Sequence, residues 1–236
     1  MFNLVVIGAG SLGSCFAIEA ARRASASKRP LSITIVDFDT VEDRNVYSQD
    51  FYPSHIGDYK SKVVAEICNQ YQGVSANGVV GKFSTDNHEI VESEGALIVD
   101  CVDSIATRQD IWVYCKARDL PCLHLGMSKK GFGLVEWSYK TYDTFSLSPA
   151  HGVSSINPEE DEKLPPCQLN SMRPLIVKTA LCGVWSAFVF MGHDPNDLIV
   201  DEEGTNLCCP GITLNWYVEL MPGKIDENLT TIMELV

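Results

Sequence analysis

The segment Gly8-Ala9-Gly10-Ser11-Leu12-Gly13 limits what this chain can be more than any other feature. It follows a short apolar run, NLVVIG at 3–8, and leads into LGSCFAIEAARR at 12–23, where Leu12, Phe16 and Ala20 share one helical face. In a strand, tight glycine turn and helix, backbone N–H groups at the helix start converge on a phosphate. Glycines permit both the turn and the close approach of the ligand. A β-branched run, LSITIVDFD at 31–39, ends on carboxylates, so residues 3–37 read as a right-handed βαβ unit in a parallel sheet. Asp37 stands at the end of that second strand, where an acid takes the two hydroxyls of a ribose. To this point NAD and ATP fit equally well.

The remaining pattern extends the same architecture. Residues 40–59 form a long polar connection without periodicity, and connections of that length are usually functional. A helix is expected at about 60–72, a third strand at 78–83, a very apolar fourth at 96–102, a helix at 104–118 and a fifth strand at 120–126. This alternation predicts a Rossmann-like, doubly wound α/β fold with a mostly parallel sheet and antiparallel C-terminal strands, the latter read at 132–139, 144–148 and 211–220. Residues 149–166 are rich in Pro, Ser, Asn and acids, the composition of an exposed mobile loop, so a crossover loop over the site is expected at about 149–170. Ile176, Ala180, Val184 and Phe188 recur every four residues and predict a core-packed helix over about 171–191. No linker divides the chain, and residues 1–236 are expected to form a single domain.

Charge and composition narrow the partners. A formal net charge of −13 counts against nucleic acid, whose affinity for proteins draws on clustered Lys and Arg. The longest mostly apolar stretch, 179–192, is short for a bilayer, and the N-terminus carries no basic stretch or cleavage site, so a cytoplasmic protein without a membrane partner is expected. Nine cysteines are an odd number and most lie in apolar runs, where a thiol serves as a small core residue rather than half of a disulfide. No C-x-x-C pair occurs, Cys208-Cys209 being adjacent and Cys167 solitary, so no structural zinc is expected. The histidines form no H-x-x-x-H pair; His124 reads as a strand-end residue, His151 as a loop residue, and His55 lies in the polar connection.

Further residues separate ATP from NAD. Asp37-Phe38-Asp39-Thr40-Val41 continues to Asn45 and Gln49, then to Gly57 and Lys60, and the fourth strand ends Asp100-Cys101-Val102-Asp103 with Arg108 beyond it. With the glycine loop, this order resembles the superfamily of ThiF, MoeB and the ubiquitin-activating enzymes. There a D-x-D-x-V segment leads to N-x-x-R-Q, then to G-x-x-K, and a D-x-x-D-x-x-x-x-R follows the fourth strand. The resemblance spans about residues 3–135. It implies an adenylation domain using ATP and Mg²⁺, with Gly8, Gly10, Ser11 and Gly13 at the phosphates and Asp37 on the ribose. Asp39, Asn45, Gln49 and Lys60 would line the nucleotide site, Asn45 and Lys60 holding the triphosphate, and Asp103 would ligate Mg²⁺. The chemistry agrees: a carboxylate attacking an α-phosphate is repelled by charge that a lysine and a metal neutralise, and a lone Asp plus phosphate oxygens suits Mg²⁺. Plainer readings stand beside these: Lys60 as a solvated lysine at a helix start, Asp103 as an N-cap, and Arg108 as a surface ion-pair residue.

There are departures. Ser48 stands where the family has the Arg of N-x-x-R-Q, and Arg44, one residue before Asn45, is the candidate to supply that charge. The sequence opens at the first strand, where many relatives carry an earlier helix with an arginine for the partner subunit's site, so a homodimer is an open expectation. In the second half, Leu164-Pro165-Pro166-Cys167-Gln168 resembles the P-x-C-T segment bearing the thioester cysteine of ubiquitin-activating enzymes. A polar setting ahead of a helix favours the thiolate, making Cys167 a catalytic candidate against a plain loop thiol. The implied function is ATP-dependent adenylation of the C-terminal carboxylate of a small ubiquitin-like or sulfur-carrier protein, with or without a following thioester on Cys167. Two alternatives stay open: an NAD-dependent oxidoreductase, supported by Gly8, Gly10, Gly13 and Asp37 alone, and a non-catalytic binding module on the same fold, to which Ser48 points.

Overall fold

The computed structural model describes residues 2–84, 87–88, 91, 95–128, 132–138, 173–192 and 216–219. Its centre is one seven-stranded sheet in the order β3-β2-β1-β4-β5-β6-β7. The strands are β1 (Phe2–Ile7), β2 (Leu31–Asp37), β3 (Val74–Val80), β4 (Leu97–Asp100), β5 (Cys122–Ser128), β6 (Phe132–Ser138) and β7 (Trp216–Glu219). Pairing is parallel from β3 through β5 and antiparallel across β5-β6 and β6-β7. The helices are α1 (Ser11–Ala26), the short α2 (Asp43–Val46), α3 (Lys60–Cys68), α4 (Ile105–Arg118) and α5 (Arg173–Phe190), with a 3₁₀ turn at Pro53–His55.

The unbroken apolar run of β1 follows from burial on both faces. Leu4 and Val6 join the core shared with α1, α3 and α5, whereas Val5 and Ile7 join the core beneath α4. Helix α1 packs on the sheet beside α5, which itself lies directly on β5, β6 and β7, and Ala17, Ala20, Ala21 and Ala24 of α1 are all fully buried, small enough for close backbone approach. Helix α5 is apolar and long enough to cross a membrane by length and composition (18 residues, mean hydropathy 1.3), and half of it is buried inside the fold. It is anchored to the sheet by Trp137 of β6, whose Nε1 donates to Ser186 Oγ at 2.7 Å and whose ring lies 4.7 Å from that of Phe190.

Several boundaries differ from the sequence reading for identifiable reasons. The third strand begins at Val74 rather than 78; its first half, with exposed Ser75 and Asn77, is the polar edge of the sheet. Asn69, just past the end of α3, substitutes for a neighbouring strand: its side-chain amide donates to Ala76 O and accepts from Ala76 N, both at 2.8 Å. That contact also ends α3 at Cys68, short of the expected 72. The connection at 40–59 is not structureless. It holds α2 and the 3₁₀ turn, and it is pinched shut by a Thr40–Tyr59 bridge and by Val41 N–H donating to Asp58 O at 2.8 Å. The expected strand at 144–148, the crossover loop at about 149–170 and Cys167 lie outside the described residues.

Candidate functional site

The site is built where β1, β2 and β4 end. Gly8 carries a φ of +94°, which only glycine adopts without strain, and its N–H donates to Val36 O at 2.8 Å. Gly13, in the first turn of α1, lies against Gly8: a β-carbon there would fall 1.8 Å from the Gly8 carbonyl oxygen. Gly10 differs. It is the N-cap of α1, and a β-carbon there would meet nothing within 4 Å, so it faces open space at the positive end of the helix. Two glycines thus hold the turn together and one leaves room for a ligand.

Asp37 fastens this turn to the end of β2. Its Oδ2 accepts from Ala9 N–H at 2.6 Å and its Oδ1 from Asp39 N–H at 2.7 Å. Burial raises its pKa, opposed by those two N–H groups and by the charge of Lys60. The chain of contacts continues: Asp39 Oδ2 lies 3.1 Å from Lys60 Nζ, and Lys60 N–H donates to Asp39 O at 2.9 Å. Lys60 is only 7% exposed, so the reading of a solvated helix-start lysine is corrected; its stem is buried and its ammonium is paired with Asp39. The glycine turn, Asp37, Asp39 and Lys60 form one connected set.

The short helix α2 places Asn45, Ser48 and Gln49. Asn45 is buried and completes a capping box, its Oδ1 accepting from Glu42 N–H at 2.8 Å. Ser48 is also buried, and its hydroxyl donates to Arg44 O at 3.4 Å. Gln49 Oε1 is buried without a hydrogen-bond partner among the described residues. Arg44, the candidate for the missing family charge, is 69% exposed and ion-paired with Glu42 at 2.6 Å. In this arrangement its guanidinium is committed to its own helix turn. Sequence reasoning missed another arginine of the region: Arg173, opening α5, forms a bidentate pair with Asp50 at 2.5 and 3.1 Å and ties the loop to the last helix.

At the end of β4, Asp103 is exposed, and Ser104 rather than Asp103 is the N-cap of α4, its Oγ accepting from Thr107 N–H at 3.3 Å. The cap reading of Asp103 is thereby corrected. The β4 end is pressed against the glycine turn: a β-carbon on Gly8 would lie 2.9 Å from Cys101 O, and Cys101 N–H donates to Ile7 O at 2.9 Å. No direct contact joins Asp103 to Lys60 among the described residues; the two flank the turn from opposite sides, on the β4 and β2 ends.

Beneath Asp103 lies a buried polar cluster that the sequence reading dispersed. Arg108, taken there as a possible surface residue, is 5% exposed. Its Nη2 donates to Val102 O at 2.6 Å and Leu125 O at 2.9 Å, and its Nη1 sits 3.2 Å from Asp100 Oδ2. His124 is not at a strand end but in β5, fully buried, with Nδ1 2.7 Å from the same Asp100 oxygen. Burial alone would raise the Asp100 pKa, but Arg108 and His124 outweigh it and hold the carboxyl below the ordinary carboxylate range. Burial lowers the His124 pKa against the pull of Asp100, so the ring is neutral and donates from Nδ1. Glu136 of β6, not singled out from the sequence, is 4% exposed, and burial pushes its carboxyl up to about 7 against the opposing charge of Arg108. The available signal was a histidine inside CLHLG and a glutamate inside FGLVEWS, two otherwise largely apolar strands. Among the described cysteines, Cys15 and Cys68 behave as core: burial raises both to about 12, which leaves them unreactive thiols.

A mostly parallel α/β sheet with a glycine turn at a helix start, an acid after β2 and a second acid after β4 defines a domain of the Rossmann-like class. Comparison places it more narrowly. The ThiF family model matches residues 2–184, and the chain belongs to that family. It is 33% identical over 107 residues to the adenylyltransferase and sulfurtransferase UBA4 of Yarrowia lipolytica (strain CLIB 122 / E 150), a match covering 45% of this chain and 26% of that protein. The chain is therefore matched to about a quarter of the length of that curated relative. Among solved structures, E. coli MccB with AMPCPP and MccA superposes with a TM-score of 0.69 at 13% identity, covering 94% of this chain and 62% of that one. PaaA superposes at 0.59 and 15% identity, covering 94% and 70%. At such identities these structures establish the fold, a mixed and mostly parallel Rossmann-like sheet.

Proposed function

We propose that this chain binds ATP with Mg²⁺ and adenylates the C-terminal carboxylate of a small carrier protein or peptide. The observation that carries the reading is the connected set Gly8-Gly13 turn, Asp37, Asp39 and Lys60, flanked by Asp103 on the β4 end. Membership of the ThiF family supports it, as do the adenylyltransferase relative and the structure of MccB with AMPCPP. An NAD-dependent oxidoreductase would leave Lys60 and the long pinched loop without a task.

In this reading the α-phosphate and its neighbours lie over Gly10, in the open space at the start of α1, and Asp37 presents its remaining lone pairs to the ribose. Lys60 turns from Asp39 to the triphosphate. Asn45, through the Nδ2 that its capping box leaves free of Glu42, and Gln49, whose Oε1 is buried without a hydrogen-bond partner among the described residues, are assigned to the same site. Asp103 fits a magnesium ion: it is an exposed hard oxygen donor beside the phosphate turn, and a lone carboxylate with phosphate oxygens and water suits that ion. Bound there, magnesium would supply charge neutralisation on the phosphate oxygens. One oxygen of the carrier's carboxylate forms a bond to the α-phosphorus, the bond from that phosphorus to the bridging oxygen of the β-phosphate breaks, and pyrophosphate leaves with the electron pair. The product is an acyl-adenylate. The thioester branch adds attack by the Cys167 thiolate on the acyl carbon, with AMP as leaving group.

ATP·Mg²⁺ at about 100 times its dissociation constant is expected to stabilise the protein by about 2.7 kcal/mol and NAD not to do so. ATP–pyrophosphate exchange with candidate carriers ending in Gly-Gly should be lost in Asp103→Ala, and a reductant-sensitive carrier adduct lost in Cys167→Ala. Stabilisation by NAD alone, or exchange indifferent to Asp103→Ala, would refute the reading.

A further inference from the structure

Three side chains of the buried cluster stand in one row across the sheet. Asp100 of β4 is in register with His124 of β5, and His124 with Glu136 of β6. Residues in register share a face, and here it is the face beneath α4: neighbouring Ile98 and Cys122 belong to the core of that side, whereas Val99, Leu123 and Val135 belong to the other. Among the described residues, one cation serves the row. Arg108, from α4, contacts Asp100 through Nη1 and holds the carbonyls of Val102 and Leu125 through Nη2. Val102 is the residue before Asp103, so the guanidinium grips the backbone that carries that acid.

Glu136 is the odd member. Its Oε2 is buried with no hydrogen-bond partner among the described residues, and Arg108 Nη1, though paired with Asp100, lacks the alignment of a hydrogen bond. With Asp100 ionised, His124 neutral and Glu136 protonated, Arg108 brings the buried charge to zero. If Glu136 ionises, two carboxylates compete for one guanidinium in a dry space, where an unpaired charge is strongly disfavoured. An ionised Glu136 draws the whole guanidinium toward itself, Nη1 first because it has no hydrogen bond to lose, and that pull loosens the hold of Nη2 on the carbonyls of Val102 and Leu125.

We propose that the Asp100–His124–Glu136 row with Arg108 is a positioning device for Asp103, and that Glu136 is the positioning residue whose uncharged state keeps Arg108 on the Val102 carbonyl. The functional consequence rests on the reading of Asp103 as the residue that meets ATP·Mg²⁺. Among the described residues, the charged and titratable groups around Glu136 are Arg108 from α4, His124 and Cys122 from β5, Asp100 from β4 and Cys115 from α4; of these Arg108 is the one whose charge acts on it directly. Burial that holds the Glu136 carboxyl near neutral pH places the transition in an accessible range.

The test compares the full chain with Glu136→Gln, which keeps the shape and cannot ionise; Glu136→Met, neutral and of similar length, carries the same expectation should the amide not fold. Hydrogen exchange of the amides at 101–104, corrected for intrinsic rates, needs no ligand. Wild-type protection should fall about tenfold relative to the variant between pH 6 and 8. Dissociation constants for ATP·Mg²⁺ should match at pH 6 and diverge about tenfold by pH 8, and the divergence should vanish with ATP in EDTA. A parallel pH dependence of exchange in the two proteins would overturn the proposal. Absence of ATP·Mg²⁺ binding at every pH would sink the adenylation reading instead, and the exchange comparison would still decide on the device.

Discussion

Two glycines three residues apart should respond oppositely to one added methyl group. In Gly13→Ala the new β-carbon is placed 1.8 Å from the Gly8 carbonyl oxygen and 3.1 Å from Cys101 Cβ. Ordinary contact needs about 3.2 Å, so either the turn or α1 must move by more than 1 Å, and overpacking of this kind costs about 1–3 kcal/mol or more. For a domain of this size 1 kcal/mol corresponds to about 2–4 °C, which predicts a Tm loss of about 6–12 °C at the upper end. In Gly10→Ala the β-carbon meets nothing within 4 Å and the backbone φ is −74°, so Tm without ligand should stay within about 1 kcal/mol of wild type. The same methyl, however, occupies the space assigned to phosphate. The stabilisation by saturating ATP·Mg²⁺, about 2.7 kcal/mol or roughly 5–11 °C for wild type, should be abolished. Differential scanning fluorimetry with and without ATP·Mg²⁺ makes both measurements. A Gly10→Ala protein that keeps the full ATP shift, or that melts as early as Gly13→Ala, would refute the division of labour argued for the turn.

Lys60→Met should fold with little loss, because its partner Asp39 is half exposed and keeps water as a neighbour; ATP–pyrophosphate exchange should drop by at least about 100-fold, and an unchanged rate would remove Lys60 from the site. Stability should fall as pH rises through neutrality: the Glu136 carboxyl is raised from 4.5 to about 7 in the folded protein, so its contribution is complete below about pH 4.5 and lost as pH passes 7, about 3 kcal/mol in all. Denaturant titrations of wild type and Glu136→Gln across pH 5–8 check that sign: wild type should lose stability relative to the variant as pH rises, and a relative gain would contradict it. Ser186→Ala leaves the buried indole N–H of Trp137 without its acceptor and should cost about 1–3 kcal/mol in the same titrations, whereas Ser27→Ala at an exposed helix end should cost less than about 1 kcal/mol.

Short-range rules were sufficient for much of this molecule. A glycine turn between an apolar strand and a helix dictates its own conformation, because Gly8 must take a positive φ and Gly13 must lack a side chain, and both needs are written in the residues. Periodicity likewise located β1, β2, α1, α4 and α5, and the order of Asp37, Lys60 and Asp103 along the chain was readable without coordinates. The polar edge strand β3 was half hidden, since its first residues are stabilised by the side chain of Asn69 rather than by their own pattern. Tertiary structure alone decided the rest. Whether Lys60 is wet or buried depends on how the pinched loop packs, and whether Arg108 lies on a surface or in the core depends on which strands stand beside β4. Above all, Asp100, His124 and Glu136 are separated along the chain and become one row only through the register of β4, β5 and β6. Register is set by packing across the whole sheet, and electrostatics among buried groups depends on distances that no linear pattern contains.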